Sequence, residues 1–211
     1  QMDFYFFLGR AFNLYLISLF ESKNEQTISL IDMEGNRIKS WDVGDKPFGK
    51  LLDDWTLLYE INADARPEKA ANSNAMIRHM DFEGNILWEY QNDFLHHDMT
   101  MIPNGNILAI IWTETDNTVK EEFNGTQWID KIIEIDYDTK EIVWEADLQE
   151  ILDLSKYPKR PSLQKDEILH TNAVEYILFK GKEAVLLSFH HLDTIIIINK
   201  NTKEIMLEYT E

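Results

Sequence analysis

The chain contains no cysteine, and its basic residues are few. Without cysteine no disulfide can form, and thiolate metal sites and cysteine nucleophiles are excluded. The 20 lysines and arginines face 38 aspartates and glutamates, which gives a formal net charge of −18. Phosphate binding is driven by lysine and arginine, so this balance argues against nucleic acid or an anionic membrane as a partner.

Glycine motifs and long apolar runs are scarce as well. Gly125 and Gly181 are isolated, so no nucleotide-binding loop is indicated. Ser188 lies outside any Gly-x-Ser-x-Gly setting and the acidic residues are scattered, which gives no support to a serine hydrolase or a paired-carboxylate glycosidase. Residues 4–20 are apolar but short for a spanning helix, and they lack the basic start and cleavage site of a signal peptide. We expect one or two buried strands there, in a chain whose initial glutamine indicates that it was cut from a longer one.

The apolar fraction of 44% over 211 residues is that of one or two globular domains. A repeated pattern runs through them, namely an alternating strand ending in Asp or Asn, a tight turn, and a second strand ending in Trp or Leu. The copies occupy residues 27–41, 75–88, 131–144 and, more weakly, 194–207. Glycine and asparagine in the turns supply the positive φ angles that such connections need, so each copy predicts a β-hairpin.

Further strand pairs are predicted between the hairpins, at residues 49–59, 99–112 and 173–188. One hairpin and one such pair make a four-stranded unit of about 50 residues, the size of a propeller blade. We therefore predict an all-β fold, a β-propeller with three to four blades present. It forms a single domain over residues 1–211 that is an incomplete ring or a fragment. An insertion at 147–167 is expected to contain a short helix capped by Asp147 and a loop over 157–161.

Five of the six histidines fall at three places in this repeat: His96 and His97, His170, and His190 and His191. Loops entering the inner strands of successive blades converge on one mouth of a propeller channel, so these imidazoles are expected to share a site. Clustered imidazoles can transfer protons or carry a transferred group. Three neutral imidazoles can instead bind a zinc-like metal, although no pair shows the i, i+2 or i, i+4 spacing typical of ligands on one element.

Other polar and aromatic residues near these histidines admit two interpretations each. Asp98 can orient an imidazole or cap the turn that follows it. Asn172 can donate to an anionic oxygen or satisfy the backbone of a blade edge. Trp112, Phe94 and Trp128 can stack on a phenol or pack in the core. His79 lies in an outer strand, where we expect a structural role.

Three groups of segments carry a family resemblance. The runs Trp88-Glu89-Tyr90, His96-His97-Asp98 and Pro103-Asn104-Gly105-Asn106-Ile107-Leu108, followed by Ile168-Leu169-His170-Thr171-Asn172-Ala173, resemble the bacterial arylsulfate sulfotransferase family. So does the opening blade over residues 14–41. The resemblance implies a six-bladed propeller, usually exported to the periplasm, that moves a sulfuryl group from one phenol to another. It also implies a ping-pong route through a sulfated histidine, without 3′-phosphoadenylylsulfate.

The resemblance further implies residue roles. The family's first channel histidine falls on the His96-His97 pair and is assigned to His97, and its second falls on His170. Its channel arginine, in a Ser-x-Arg motif, aligns with His190, so a permanent cation is replaced by a titratable one. The histidine nucleophile of the family has no match in the chain and is expected beyond Glu211. We predict three catalytic residues, His97, His170 and His190, and four substrate-binding residues, His96, Asn172, Ser188 and His191.

The predicted partners are a small aromatic sulfate donor and a phenol acceptor. No cofactor, metal ligand, nucleic acid or membrane partner is predicted, and a homo-oligomer is left open. Imidazolium and amide donors aimed at the transferred group would stabilise the negative charge of the transition state. The alternative is a non-catalytic propeller that binds a small ligand or a protein, which the substitution at His190 and the unmatched nucleophile favour.

Overall fold

The computed structural model describes residues 4–7, 14–21, 25–44, 47–62, 74–115, 127–157 and 167–210, with side chains from residue 27 onward. Strands dominate these residues and form four separate antiparallel sheets of four strands each. In every sheet the strands follow one another in chain order, as in the blade of a propeller. The predicted all-β fold with a partial set of four-stranded blades is thereby confirmed.

The chain divides into two compact units, residues 1–93 and residues 94–211. The first unit contains two sheets. Their strands are β1 (Phe4–Phe7), β2 (Leu14–Glu21), β3 (Glu25–Asp32), β4 (Arg37–Asp42), β5 (Phe48–Leu51), β6 (Leu57–Ile61), β7 (Met76–Met80) and β8 (Ile86–Gln91). The apolar run at the start of the chain is thus two strands, β1 and β2, as expected, and its side chains lie outside the described residues.

The second unit contains the other two sheets and the short helical insertion. Its strands are β9 (Leu95–Met101), β10 (Ile107–Glu114), β11 (Trp128–Ile135), β12 (Ile142–Asp147), β13 (Thr171–Phe179), β14 (Lys182–Phe189), β15 (Thr194–Asn199) and β16 (Ile205–Thr210). Helix α1 (Leu148–Ile151) follows β12, and a 3-10 turn (Leu154–Lys156) follows α1. No helix among the described residues is long and apolar enough to cross a membrane.

The hairpin turns form where the repeat places them, because a polar side chain at the end of each third strand, or directly after it, binds the turn backbone. Asp81 Oδ1 accepts the backbone N–H groups of Gly84 and Asn85, both at 2.8 Å. Gly84 has a φ of 104°, which an L side chain rarely adopts. Asn199 Oδ1 accepts the N–H of Asn201 at 2.8 Å in the equivalent turn of the last sheet.

The repeated tryptophans connect neighbouring sheets within each unit. Trp41 Nε1, on β4, donates to the carbonyl of Phe82 at 3.0 Å, and Trp144 Nε1, on β12, donates to the carbonyl of Lys200 at 2.8 Å. Phe82 directly follows Asp81, and Lys200 directly follows Asn199, so both acceptors lie next to the polar residue that binds the turn of the next sheet. The indole of the outermost strand therefore ties each sheet to the turn of its neighbour, which accounts for tryptophan at that position of the repeat.

Asp147 caps α1, as predicted, by accepting the N–H of Gln149 at 3.0 Å. Leu148, Leu152 and Tyr157 are buried in the apolar core of the second unit, which also contains side chains of β11 and β14. The insertion therefore covers the core of the second unit. The rest of the predicted loop, residues 158–161, lies outside the described residues.

Candidate functional site

Two sheets of the second unit bring five histidines together, and we call these residues the histidine cluster. His96 and His97 lie on β9, His170 directly precedes β13, and His190 and His191 directly follow β14. The backbone N–H of His190 donates to the carbonyl of His170 at 2.9 Å, which joins the start of β13 to the end of β14. Strands β9 and β13 pack against each other, so histidines far apart in sequence face one another.

The backbone is irregular at both histidine positions of the inner strands. His97 has a φ of 57° and His170 a φ of 52°, in the left-handed region that residues other than glycine seldom adopt. The register of β9 against β10 shifts between Ala109 and Ile111, opposite His97, which marks a bulge. Successive side chains of a regular strand point to opposite faces, whereas the rings of His96 and His97 have centroids 4.1 Å apart. The bulge thus places two consecutive imidazoles on the same side.

The closest contact in the cluster joins His97 to His170. Their Nε2 atoms are 2.7 Å apart, a hydrogen bond in which one nitrogen carries the proton and the other accepts it. Nδ1 of His170 forms a hydrogen bond with the Glu167 carboxylate. An ionised carboxylate only accepts, so His170 keeps its proton on Nδ1 and, when neutral, presents the Nε2 lone pair to His97.

The remaining rings surround His170. The ring of His191 stacks on it with centroids 5.0 Å apart and an interplanar angle of 25°, and the His190 ring lies 5.3 Å away. His191 is buried, whereas His190 is exposed to solvent. The cluster therefore has an open side at His190 and a closed side at His191.

Two overlapping sets of side chains in the cluster have a geometry that could hold a metal ion. One set is His96, His97 and His170, and the other is Glu167, His170 and His191. In each set, one ligand atom per residue lies within 4.8 Å of the others.

His96 is the deepest member of the cluster, with 1% of its surface exposed. Burial, together with the neighbouring imidazoles of His97, His170 and His191, holds its pKa well below the ordinary value. His96 is therefore neutral at pH 7. Its ring packs edge-on against Trp112, with centroids 3.7 Å apart. No residue in the described ranges hydrogen-bonds to its Nδ1.

Asp130, on β11, is a buried carboxyl group beside His96. Its Oδ2 accepts the backbone N–H of Thr171 at 2.7 Å and the hydroxyl of Thr171 at 2.6 Å. Burial raises its pKa to about 6 in spite of these two donors. Oδ1 lies 3.9 Å from His96 Nδ1, too far for a hydrogen bond, and within the described part of the chain it has no partner.

Asp98 connects the two inner strands beneath the cluster. Its Oδ1 accepts the N–H of Met99 at 2.9 Å, and its Oδ2 accepts the N–H of Val174 on β13 at 2.9 Å. Asp98 is 1% exposed, so these bonds are made away from water and hold β9 and β13 in register at the bulge. The sequence allowed a turn-capping or imidazole-orienting role, and neither interpretation included this link between sheets.

Two predicted substrate-binding residues, Asn172 and Ser188, do not take part in the described contacts among the histidine rings. Asn172 is exposed on β13 and Ser188 is half-buried on β14. As far as the structure describes the chain, neither side chain hydrogen-bonds to a histidine ring. Of the predicted aromatic residues, Trp112 contacts His96, while Phe94 stacks on Trp128 with centroids 6.1 Å apart.

The sequence pattern also matches a known family. The family model described as Arylsulfotransferase (ASST) matches residues 13–208, nearly the whole chain. The chain belongs to the arylsulfotransferase family. The predicted family is thereby confirmed. No curated protein matches the sequence.

Solved structures similar to this arylsulfotransferase chain show the fold alone. A protein of unknown function from Bacteroides caccae is similar with a TM-score of 0.52 at 9% identity, over 94% of this chain and 57% of that one. The β-propeller domain of Cps50 (Swd1) from Myceliophteria thermophila is similar with a TM-score of 0.52 at 12% identity, over 98% of this chain and 54% of that one. The arylsulfotransferase chain thus spans a little over half the length of these two proteins.

Two carboxylates of the candidate site, Glu167 and Asp130, were not found from the sequence. Glu167 precedes His170 by three residues, and that spacing beside a candidate histidine was an available signal. Asp130 interrupts an apolar strand opposite Trp112 in the β10–β11 register, and a lone carboxylate in such a strand was a second signal. Neither signal says which imidazole the carboxylate reaches, because that depends on how separate sheets pack.

Proposed function

We propose that this arylsulfotransferase domain takes part in moving a sulfuryl group from a phenolic sulfate ester to a phenol acceptor, by way of a histidine. The observation that carries the proposal is the His97–His170 pair, whose Nε2 atoms lie 2.7 Å apart among three further imidazoles. Such a set of N–H donors suits an anionic group that gains charge on its oxygens as it is transferred. Export to the periplasm, which the family resemblance implies, stays a prediction.

The transfer consists of two displacements at sulfur. In the first, an imidazole nitrogen bonds to sulfur, the bond from sulfur to the donor oxygen breaks, and the departing phenolate takes up a proton. In the second, the acceptor oxygen bonds to sulfur, the sulfur–nitrogen bond breaks, and the acceptor's proton passes to a base. Each step needs a group that gives or receives a proton near neutral pH, which is the range of imidazole.

We assign the donor role to His97 and His170 because they share one proton and a fixed geometry. His170 is oriented by Glu167, so its Nε2 has a defined direction. An oxygen of the sulfuryl group that enters between the two nitrogens would accept from His97 and from protonated His170. His190 is assigned to the open side, where an incoming anion first meets the cluster.

We also propose substrate-binding roles for four further residues, with one argument for the two histidines and another for the other two. These residues are His96, His191, Asn172 and Ser188. His96 and His191 are buried against the catalytic rings and would shape the inner wall of the site. Asn172 and Ser188 lie on β13 and β14, beside the cluster in sequence, and would contact substrate outside the ring contacts.

The test is turnover of p-nitrophenyl sulfate with a phenol acceptor by the full-length protein. We expect His97→Ala and His170→Ala each to lower kcat/KM at least ~100-fold, the usual scale for loss of a positioned acid–base group. His79→Gln is the matched control, because His79 lies on β7 in the first unit and bonds to Thr56 there. Unchanged turnover in both cluster variants would refute the site assignment.

A second function, a non-catalytic module that binds small anions, is favoured by one observation. His190 is exposed at the position that aligns with the family's arginine, so the cluster lacks a permanent cation there. A binding module would hold an aryl sulfate without releasing nitrophenolate. Calorimetric binding of p-nitrophenyl sulfate together with the absence of turnover would select this alternative.

A further inference from the structure

The imidazoles of His96, His97 and His170 form a three-nitrogen group that the proposed sulfuryl transfer does not require as a whole. One ring nitrogen of each residue lies within 4.8 Å of the other two. Histidine is the commonest nitrogen ligand of zinc, and three imidazoles with an open fourth position are one of the recurring catalytic zinc arrangements.

We propose that His96, His97 and His170 bind a divalent first-row transition metal of the zinc type. The proposal does not rest on sulfuryl transfer, since metal binding is measured without a sulfate ester. The three ligands come from two places in the chain, the bulge of β9 and the start of β13, and close packing of β9 on β13 brings them together.

His170 has the surroundings of a metal ligand. A histidine bound to metal almost always donates its other ring N–H to a carboxylate or carbonyl, which fixes the tautomer and aims the free lone pair. The Nδ1 of His170 meets Glu167 in this way, and its Nε2 faces Nε2 of His97. Glu167 is buried, so the contact is shielded from water.

The distance between Nε2 of His97 and Nε2 of His170 shows how closely the pair already matches the geometry of a zinc site. At zinc–nitrogen bonds of about 2.0–2.1 Å, the observed 2.7 Å separation corresponds to an angle of about 80° at the metal. A tetrahedral angle needs about 3.3–3.4 Å between the nitrogens, so metal binding is expected to open the pair by roughly 0.7 Å. We expect rotation of the two rings to supply this change.

His96 supplies the third imidazole from the buried side. Its Nδ1 has no hydrogen-bond partner among the described residues, and its Nε2 lies 3.9 Å from a Glu167 oxygen. Asp130 lies 3.9 Å from the other side of the ring. Two buried carboxyl groups around a neutral imidazole lower the cost of placing a dication there, because charge of opposite sign is already in position.

The second set, Glu167, His170 and His191, shares His170 but requires the Glu167 carboxylate as a direct ligand. In the structure that carboxylate already binds Nδ1 of His170. The two sets share only His170. His96 belongs to the first set alone and His191 to the second alone, so variants at these two positions separate the sets. We expect His96→Ala to weaken metal binding and His191→Ala to leave it within about threefold of the parent.

The experiment is a titration of the EDTA-stripped chain with zinc chloride by calorimetry, with bound zinc measured after gel filtration. We expect roughly one zinc per chain, and at least tenfold weaker binding in His97→Ala and His170→Ala. Glu167→Gln is expected to weaken binding about 10- to 100-fold, as for other partners of metal-bound histidines. Cobalt(II) provides a second readout, since its visible absorption bands report tetrahedral coordination.

His79→Gln is the control and should bind zinc like the parent chain. Circular dichroism melts identify variants that fail to fold. If His97→Ala or His170→Ala does not fold, the glutamine variant at the same position, His97→Gln or His170→Gln, takes its place. The proposal is overturned if the parent chain does not bind zinc stoichiometrically. It is also overturned if stoichiometric zinc binding survives in both His97→Ala and His170→Ala. Zinc binding without nitrophenyl sulfate turnover would contradict sulfuryl transfer alone, and turnover without zinc binding would contradict the metal site alone.

Discussion

Nε2 of His97 lies 2.7 Å from Nε2 of His170, so the two rings share a single proton between them. The same gap is the place where either an oxygen of a transferred sulfuryl group or a metal ion would insert. Both residues have a positive φ, a strained backbone conformation that costs roughly 1–3 kcal/mol and persists only where the surrounding structure holds it. Strain at two facing histidines is consistent with the candidate site proposed here.

Glu167 is a positioning residue for His170, and Glu167→Gln should reveal that role. The carboxamide cannot hold the Nδ1 proton as an ionised carboxylate does, so the preferred tautomer of His170 is lost. We expect kcat for p-nitrophenyl sulfate to fall at least ~10-fold with little change in KM. Nitrogen chemical shifts of the His170 ring should show the Nδ1–H form in the parent and a mixture of tautomers in the variant.

Glu175→Gln is the control, because Glu175 is a carboxylate on β13 that accepts from Thr100 of β9 at 3.2 Å. Its kcat and the His170 shifts should match those of the parent. An unchanged tautomer in Glu167→Gln would show that another group orients His170.

His190→Arg introduces the residue type that the family resemblance implies at this position. A guanidinium carries a permanent charge at all working pH values and presents its N–H donors in a rigid fork. His190 is exposed, so the longer side chain can be accommodated. We expect severalfold tighter binding of the aryl sulfate at pH 8, measured as KM or by calorimetry. Weaker binding would contradict the role assigned to His190.

The blades could be predicted from the sequence because their signals are local. Each hairpin turn forms within a few residues, as in the bonds from Asp81 to the N–H groups of Gly84 and Asn85. Strand alternation and turn chemistry act over the same short range. The repeated tryptophan was visible as well, although its purpose, a bond to the next sheet, was not.

The site could be predicted only in part, because the contacts that build it join residues far apart in the sequence. The repeat indicated which histidines would meet, since equivalent strand ends face one channel. It did not indicate Asp130 beside His96, or the bond from Asp98 to Val174, because these contacts join separate strands whose register is set by packing of the whole unit. Burial decides their chemistry, and burial of a single carboxylate has no reliable local pattern.

Trp144→Phe should destabilise the second unit through one lost hydrogen bond. The indole N–H donates to the Lys200 carbonyl at 2.8 Å, and phenylalanine leaves that carbonyl without this donor. We expect the free energy of unfolding to fall by about 1–2 kcal/mol, measured by urea denaturation.

Two comparisons make this result specific. Trp41→Phe removes the equivalent bond to Phe82 in the first unit and should cost a similar amount. Tyr209→Phe, at a side chain 63% exposed on β16, should change stability by less than about 0.5 kcal/mol. Equal effects of all three changes would mean that the indole bonds do not contribute.

Glu134 gives the second unit a stability that depends on pH. Its carboxylate, on a residue only 3% exposed, accepts from Lys200 at 2.6 Å and from the amide of Asn106 at 2.8 Å. Burial alone would raise its pKa, but these donors together with Asn104 outweigh burial, and the pKa lies below its usual value of 4.5. A group whose pKa is lower in the folded state stabilises the fold above the unfolded pKa, and that contribution is lost as pH falls through the folded pKa.

Glu134→Gln should therefore lower the free energy of unfolding by about 1–3 kcal/mol at pH 7, since the Lys200 ammonium loses its buried partner. The difference between parent and variant should shrink as pH falls below about 4.5, because the parent then protonates Glu134. Urea denaturation at pH 7, 5, 4 and 3 measures this. Glu145→Gln is the control, since the ion pair from its exposed carboxylate to Lys131 is worth little. A difference that stays constant from pH 7 to 3 would show that Glu134 acts through packing rather than through its charge.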